Sequence, residues 1–141
     1  MLPSGHATVD AYAAFLAPLW PLLMPRFDLS VSAVGILISV VGLSGTMVQP
    51  LYGFIADRIG RRIFLIWGPI LAAMFMSMIA WALNRAVFVG YLLLTHAGIN
   101  AYHPQATAAV SRIGQQHKGL AVGLFMNIGA VGFALGPLIA P

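Results

Sequence analysis

From Ile63 to Leu83 the chain runs for 21 residues without an Asp, Glu, Lys or Arg. As a helix such a run is about 30 Å long, the thickness of the hydrocarbon core of a bilayer. A helix apolar on every side must be buried in a large core or in lipid, and 141 residues leave no large core to bury it in. Four further apolar stretches, one of them interrupted by Asp10, fill most of the remaining sequence, so the spans expected are 5–25, 31–56, 63–83, 86–110 and 119–141. The whole chain, 1–141, is read as one partial N-terminal transmembrane domain of an all-α membrane protein. Composition agrees: 60% of the residues are hydrophobic and 7% are charged, against about one quarter charged in soluble domains.

The net charge of +4 does not mark a nucleic-acid partner, because the seven Lys and Arg stand singly or in one loop among apolar runs. The partner this composition implies is the lipid bilayer. With no cysteine in the chain, disulfides, thiolate metal sites and thiol catalysis are excluded. Met1 to Gly5 carry no Lys or Arg, so the basic start of a cleavable signal peptide is missing and the first span is expected to be retained.

Pro18 and Pro21 fall inside the first span, where membrane helices tolerate them. The second span is rich in small residues, Gly35, Ser39, Gly42, Ser44, Gly45 and Gly53, which let helix backbones approach closely in lipid. Orientation follows from the cations, since Lys and Arg of short loops stay in the cytoplasm. Arg58, Arg61, Arg62, Arg112 and Lys118 follow the second and fourth spans, whereas only Arg26 and Arg85 follow the first and third. The N-terminus is therefore expected inside a cell membrane that the chain crosses several times.

An internal repeat runs beneath this plan. His6-Ala-Thr-Val-Asp10-Ala-Tyr12 matches His96-Ala-Gly-Ile-Asn100-Ala-Tyr102 at an offset of 90, and Ala33-Val34-Gly35 matches Ala121-Val122-Gly123 at an offset of 88. Two matches in order at nearly one offset point to a repeated three-span unit. An odd number of crossings separates the copies, so the second is inverted, the build of many secondary transporters.

Ionisable side chains inside a span cost several kcal/mol and are functional candidates by default. His6 and Asp10, four residues apart, share one face of the first helix. In the fourth span His96, Asn100, His103 and Thr107 form a polar stripe, each within about 40° of the direction of His96. A desolvated carboxylate beside histidines, whose ordinary range straddles neutrality, is a set suited to carrying protons. The plainer reading is that these groups bond one another and hold the helices together. Haem ligation would need facing histidines, which His6 with His103 could supply, and a metal site would need further ligands at compact spacing. Neither is expected. No Ser/His/Asp constellation recommends an intramembrane enzyme, and no cofactor is implied.

The second chemical feature is Gly53-Phe-Ile-Ala-Asp57-Arg58-Ile-Gly60-Arg61-Arg62 at the cytoplasmic end of the second span. Gly53 permits close helix contact, Asp57 can pair with an Arg, Gly60 turns the chain, and the arginines bind anionic headgroups or carboxylates. A loop that only sets topology needs the cations but neither the glycines nor Asp57. The run G-x-x-x-D-R-x-G-R-R resembles the loop signature of the major facilitator superfamily at every defined position. Gly123, Gly132, Gly136 and Pro137 resemble the start of that superfamily's proton-coupled antiporter motif, although Ala140 and Pro141 replace its final glycines. His6 and Asp10 with Phe15-Leu16-Ala17-Pro18-Leu19, Gln49-Pro50-Leu51-Tyr52-Gly53, and Ala101-Tyr102-His103-Pro104-Gln105-Ala106 resemble its fosmidomycin-resistance-like branch.

The resemblance implies a helical bundle forming part of an N-terminal half with an inverted three-helix repeat, in which the first and fourth spans border a central cavity. It implies secondary transport of small molecules, proton-coupled drug or metabolite efflux, with Asp10 and the fourth-span stripe facing substrate or protons and the Asp57 loop acting as a conformational latch. Many proton-coupled members place an Arg where this chain has Leu94, so His96 or His103 would have to stand in for it. The five spans amount to part of a twelve-helix pattern. A fragment is therefore the expectation, with a non-transporting membrane remnant or partner protein as the alternative.

Overall fold

The computed structural model describes Leu2–Ile139, with the side chain of Thr46 excepted. The expected ends of the first unit and last span at Met1, Ala140 and Pro141, and the substituted motif positions at Ala140 and Pro141, lie outside the described residues. Within them the chain is helical, with no strand: α1 (Leu2–Ala14), α2 (Leu16–Arg26), α3 (Val31–Ile59), α4 (Arg61–Met78), α5 (Arg85–Ile113) and α6 (Lys118–Ile139). Short 3-10 turns at Ile79–Trp81 and Gln115–His117 end α4 and lead into α6.

The first expected span is two helices. Pro18 has no N–H for the Ala14 carbonyl, and its ring crowds that group, so the helix breaks at Phe15 between α1 and α2. Polar residues start the next rods. Ser30 Oγ accepts from the Ala33 N–H at 3.1 Å, and Asn84 Oδ1 accepts from the Val87 N–H at 2.9 Å, each satisfying one orphan donor of a first helical turn. Asp57 and Arg58, expected beyond the second span, are still on α3, which runs on to Ile59.

Among the described residues four helical runs are long and apolar enough to cross a membrane: Leu2–Arg26, Val31–Ile59, Arg61–Trp81 and Gln115–Ile139. The fourth rod, α5, equals α3 in length at 29 residues but is too polar to stand among them. Its polar groups turn inward. Thr95 and Gln105 are buried together with Phe88, Leu92, Ile99, Tyr102 and Ala106, so α5 is the axis around which more apolar helices pack.

Backbone contact fixes those packings. Gly68 of α4 and Gly98 of α5 face each other so closely that a Cβ on Gly98 would lie 2.6 Å from the Gly68 carbonyl oxygen. The small residues of α3 behave differently from expectation: Gly45 presses on the Asn100 side chain, but a Cβ at Gly35 or Gly53 would meet nothing within 4 Å. Gly53 therefore makes no close helix contact among the described residues. One apolar cluster, including Leu23, Phe27, Met76, Ile79 and Phe88, closes the end where α2 meets α4 and α5. A second, including Val9, Ala72, Ile99, Tyr102 and Phe125, joins α1, α4, α5 and α6. The candidate site lies against the second.

Candidate functional site

Asp10 is the meeting point of two helices. Its Oδ2 lies 3.3 Å from His6 Nε2, one turn back on α1, and its Oδ1 lies 3.0 Å from His103 Nε2 on α5. His6 is buried, at 2% exposure, and stacks on Phe125 of α6 with ring centroids 4.0 Å apart. Its ring meets that of His103 edge-on at 5.1 Å. The Tyr102 hydroxyl donates to the Leu2 carbonyl at 2.6 Å and ties the start of α1 to α5.

The remaining ring nitrogens reveal the tautomers. His6 Nδ1 is 2.9 Å from the Phe125 carbonyl, and His103 Nδ1 is 3.0 Å from the Ile99 carbonyl. A carbonyl can only accept, so each Nδ1 carries a hydrogen and donates it. Both Nε2 atoms consequently face the carboxylate. Three helices thus place three groups: α1 brings His6 and Asp10, α5 brings His103, and α6 supplies the carbonyl and the ring that orient His6.

The other stripe residues go elsewhere. His96 donates from Nδ1 to Leu92 of its own helix at 2.9 Å, and with Asn100 it lines a small cavity of about 140 Å³ shared with Ser44, Val48 and Tyr52 of α3. His96 also borders a groove of about 420 Å³ between α1, α2, α3 and α5. The expected single polar face is split, because Asn100 and His103 diverge by about 60° on the helix, enough to address different neighbours. Thr107 joins neither group. Leu94 is 46% exposed and, nine positions from His103, falls on the opposite side of α5. Asp10 and Asn100, which occupy matching positions in the two sequence segments, each press on a glycine, Gly129 of α6 and Gly45 of α3.

Sequence reasoning missed Phe125 and Gly129. A Cβ on Gly129 would lie 2.5 Å from Asp10 Oδ2 and 2.7 Å from His6 Nδ1, so the site exists only because that position has no side chain. The spacing Gly129, Gly132, Gly136 was the available signal. Gly132 and Gly136 lie against the backbone of Ala7 and Ala11, which makes them the seat of α6 on α1, while Gly123 has open space around it. Pro137 lies in the last turn of α6.

At the α3–α4 corner Gly60 has φ +97°, a region side chains disfavour, which allows α4 to follow α3 with a single residue between them. Across it Arg61 donates to Asp57 Oδ1 at 2.7 Å. Arg58 stands over the Phe54 ring at 4.0 Å, and Arg62 with Arg112 lines an open hollow beside Asp57.

A bundle of helices long and apolar enough to cross a membrane, with an ionisable cluster where three of its helices meet, is a multi-pass membrane protein. The chain matches the Major Facilitator Superfamily over residues 5–141 and belongs to that family. It is 24% identical over 136 residues to the fosmidomycin resistance protein of Escherichia coli (strain K12), covering 96% of this chain and 34% of that protein. It is 24% identical over 140 residues to the multi-drug resistance efflux pump PmrA of Streptococcus pneumoniae serotype 4, with 96% and 35% covered. With the quinolone resistance protein NorA of Staphylococcus aureus it shares 26% identity over 121 residues, covering 85% and 31%. The chain thus spans about a third of the length of these relatives. No solved structure matches it significantly.

Proposed function

We propose that the chain supplies the first five membrane helices of a secondary transporter that carries small molecules out of the cell in exchange for protons. α5 is the remaining crossing in this reading, with one side covered by its neighbours, and the N-terminus lies in the cytoplasm. The observation that carries it is the Asp10 carboxylate held between His6 and His103 at the junction of α1, α5 and α6. Charge placed inside a membrane span is costly unless it works, and a bridge between two helices changes strength when a proton enters or leaves. Rocking of one half against the other could be driven that way. The relatives named for resistance and efflux favour an export direction. Open space beside Gly35, Gly53, Gly119 and Gly123 on the outer sides of α3 and α6 suits the approach of further helices. In this reading Asp57 with the Gly53 to Arg62 corner acts as the latch, and His96 and Asn100 line the substrate path.

The test is efflux of a fluorescent apolar cation, such as ethidium, from energised cells carrying the transporter that contains these helices. Asp10→Asn and His103→Ala should each lower proton-driven efflux at least about tenfold, the scale of removing a charge-bearing group, with membrane insertion unchanged. Undiminished efflux in both variants would sink the reading.

A further inference from the structure

Each Nδ1 of His6 and His103 is committed as a donor to a backbone carbonyl, so in a neutral ring the Nε2 lone pair points at a carboxylate oxygen. Acceptor then faces acceptor at 3.3 Å for His6 and 3.0 Å for His103. Something positive belongs between them. A proton on each ring would serve, and so would one metal ion bound by all three groups.

We propose that His6, Asp10 and His103 form a binding site for one divalent first-row transition ion of the zinc and cobalt class. All three ligand atoms lie within 4.8 Å of one another. The two nitrogen-to-oxygen gaps, one to each oxygen of Asp10, match edges of about 3.0–3.4 Å in a coordination polyhedron with about 2.0–2.1 Å bonds, with the carboxylate binding through both oxygens. The outer arrangement is the one metal-bound histidines show, with the second ring nitrogen donating to a carbonyl that fixes tautomer and orientation. Two imidazoles and one carboxylate suit zinc, cobalt, nickel or iron rather than calcium or magnesium. The inner histidine is sealed beneath Phe125, whereas the side chains of Asp10 and His103 are 19% and 30% exposed, so the remaining coordination positions open toward a ligand. One divalent ion against one carboxylate leaves the same single positive charge as two ring protons do. The ion could therefore replace them without altering the net charge of the cluster.

This site goes beyond the proposed efflux and does not depend on it. The experiment titrates Co²⁺ into the purified full chain in detergent, without a polyhistidine tag, and follows the visible absorption of the bound ion. One ion per chain is expected, displaced by Zn²⁺. Asp10→Asn and His103→Gln should each weaken binding at least about tenfold, while His117→Gln, in the exposed turn before α6 and outside the cluster, leaves it unchanged. Helical circular dichroism confirms that the variants fold, and Zn²⁺ should raise the melting temperature of the unaltered chain but not of Asp10→Asn. Absence of a Co²⁺ band at saturating ion, or equal affinity in all the variants, overturns the site and leaves protons as its only occupants. A transporter that binds one Co²⁺ through Asp10 and His103 yet fails to exchange protons would uphold the site and sink the efflux reading.

Discussion

Asp10 can reach two histidines because a third residue, Gly129, contributes no atoms to the space between α1 and α6. An added methyl there would lie 2.5 Å from the carboxylate and 2.7 Å from His6 Nδ1, and overpacking of this kind costs about 1–3 kcal/mol. Gly129→Ala should therefore lower the melting temperature in detergent and release α6 from the site. Gly123→Ala meets open space and should be neutral or stabilising by up to about 1 kcal/mol, from helix propensity alone. Equal melting of the two variants would refute the packing role. At this scale the sequence exposed the titratable residues, His6, Asp10 and His103, since polar groups in apolar runs stand out. It hid Phe125 and Gly129, which are ordinary among apolar residues until a neighbouring helix is laid against them.

Among the elements, the α3–α4 corner separates a role in stability from a role in movement. Asp57 and Arg61 pair across it, but the Asp57 side chain is 64% exposed, and exposed pairs contribute about 0–1 kcal/mol. Asp57→Asn should leave thermal unfolding nearly unchanged. If the corner is a latch, the same variant shifts the transporter between its conformations, read as altered accessibility of single labelled positions on its two faces. Gly60→Ala differs, since the left-handed φ of +97° penalises a side chain by about 1–2 kcal/mol, and it should destabilise the chain whatever the latch does. The helices themselves were legible from apolar runs and caps such as Asn84. The break at Phe15 and the extension of α3 to Ile59 were less so, because a proline's effect falls four residues upstream and charged residues at a membrane edge still propagate a helix.

For the whole molecule, orientation is the property most open to test, and the absence of native cysteine makes it simple. Leu83→Cys, before α5, should react with a membrane-impermeant maleimide in intact cells. Gln116→Cys, after α5, should react only once the membrane is opened; the opposite pattern would invert the proposed orientation. The sequence alone determined that this chain is a set of apolar helices in a bilayer, and its loop signature carried the resemblance to its family, because charge-free length and local motifs are properties of contiguous residues. Only the tertiary structure decided that His103 joins His6 and Asp10 while His96 and Asn100 turn to α3. That choice depends on how α1, α5 and α6 rotate about their axes, which close contacts at Gly68, Gly98, Gly129 and Gly132 set and no single segment encodes.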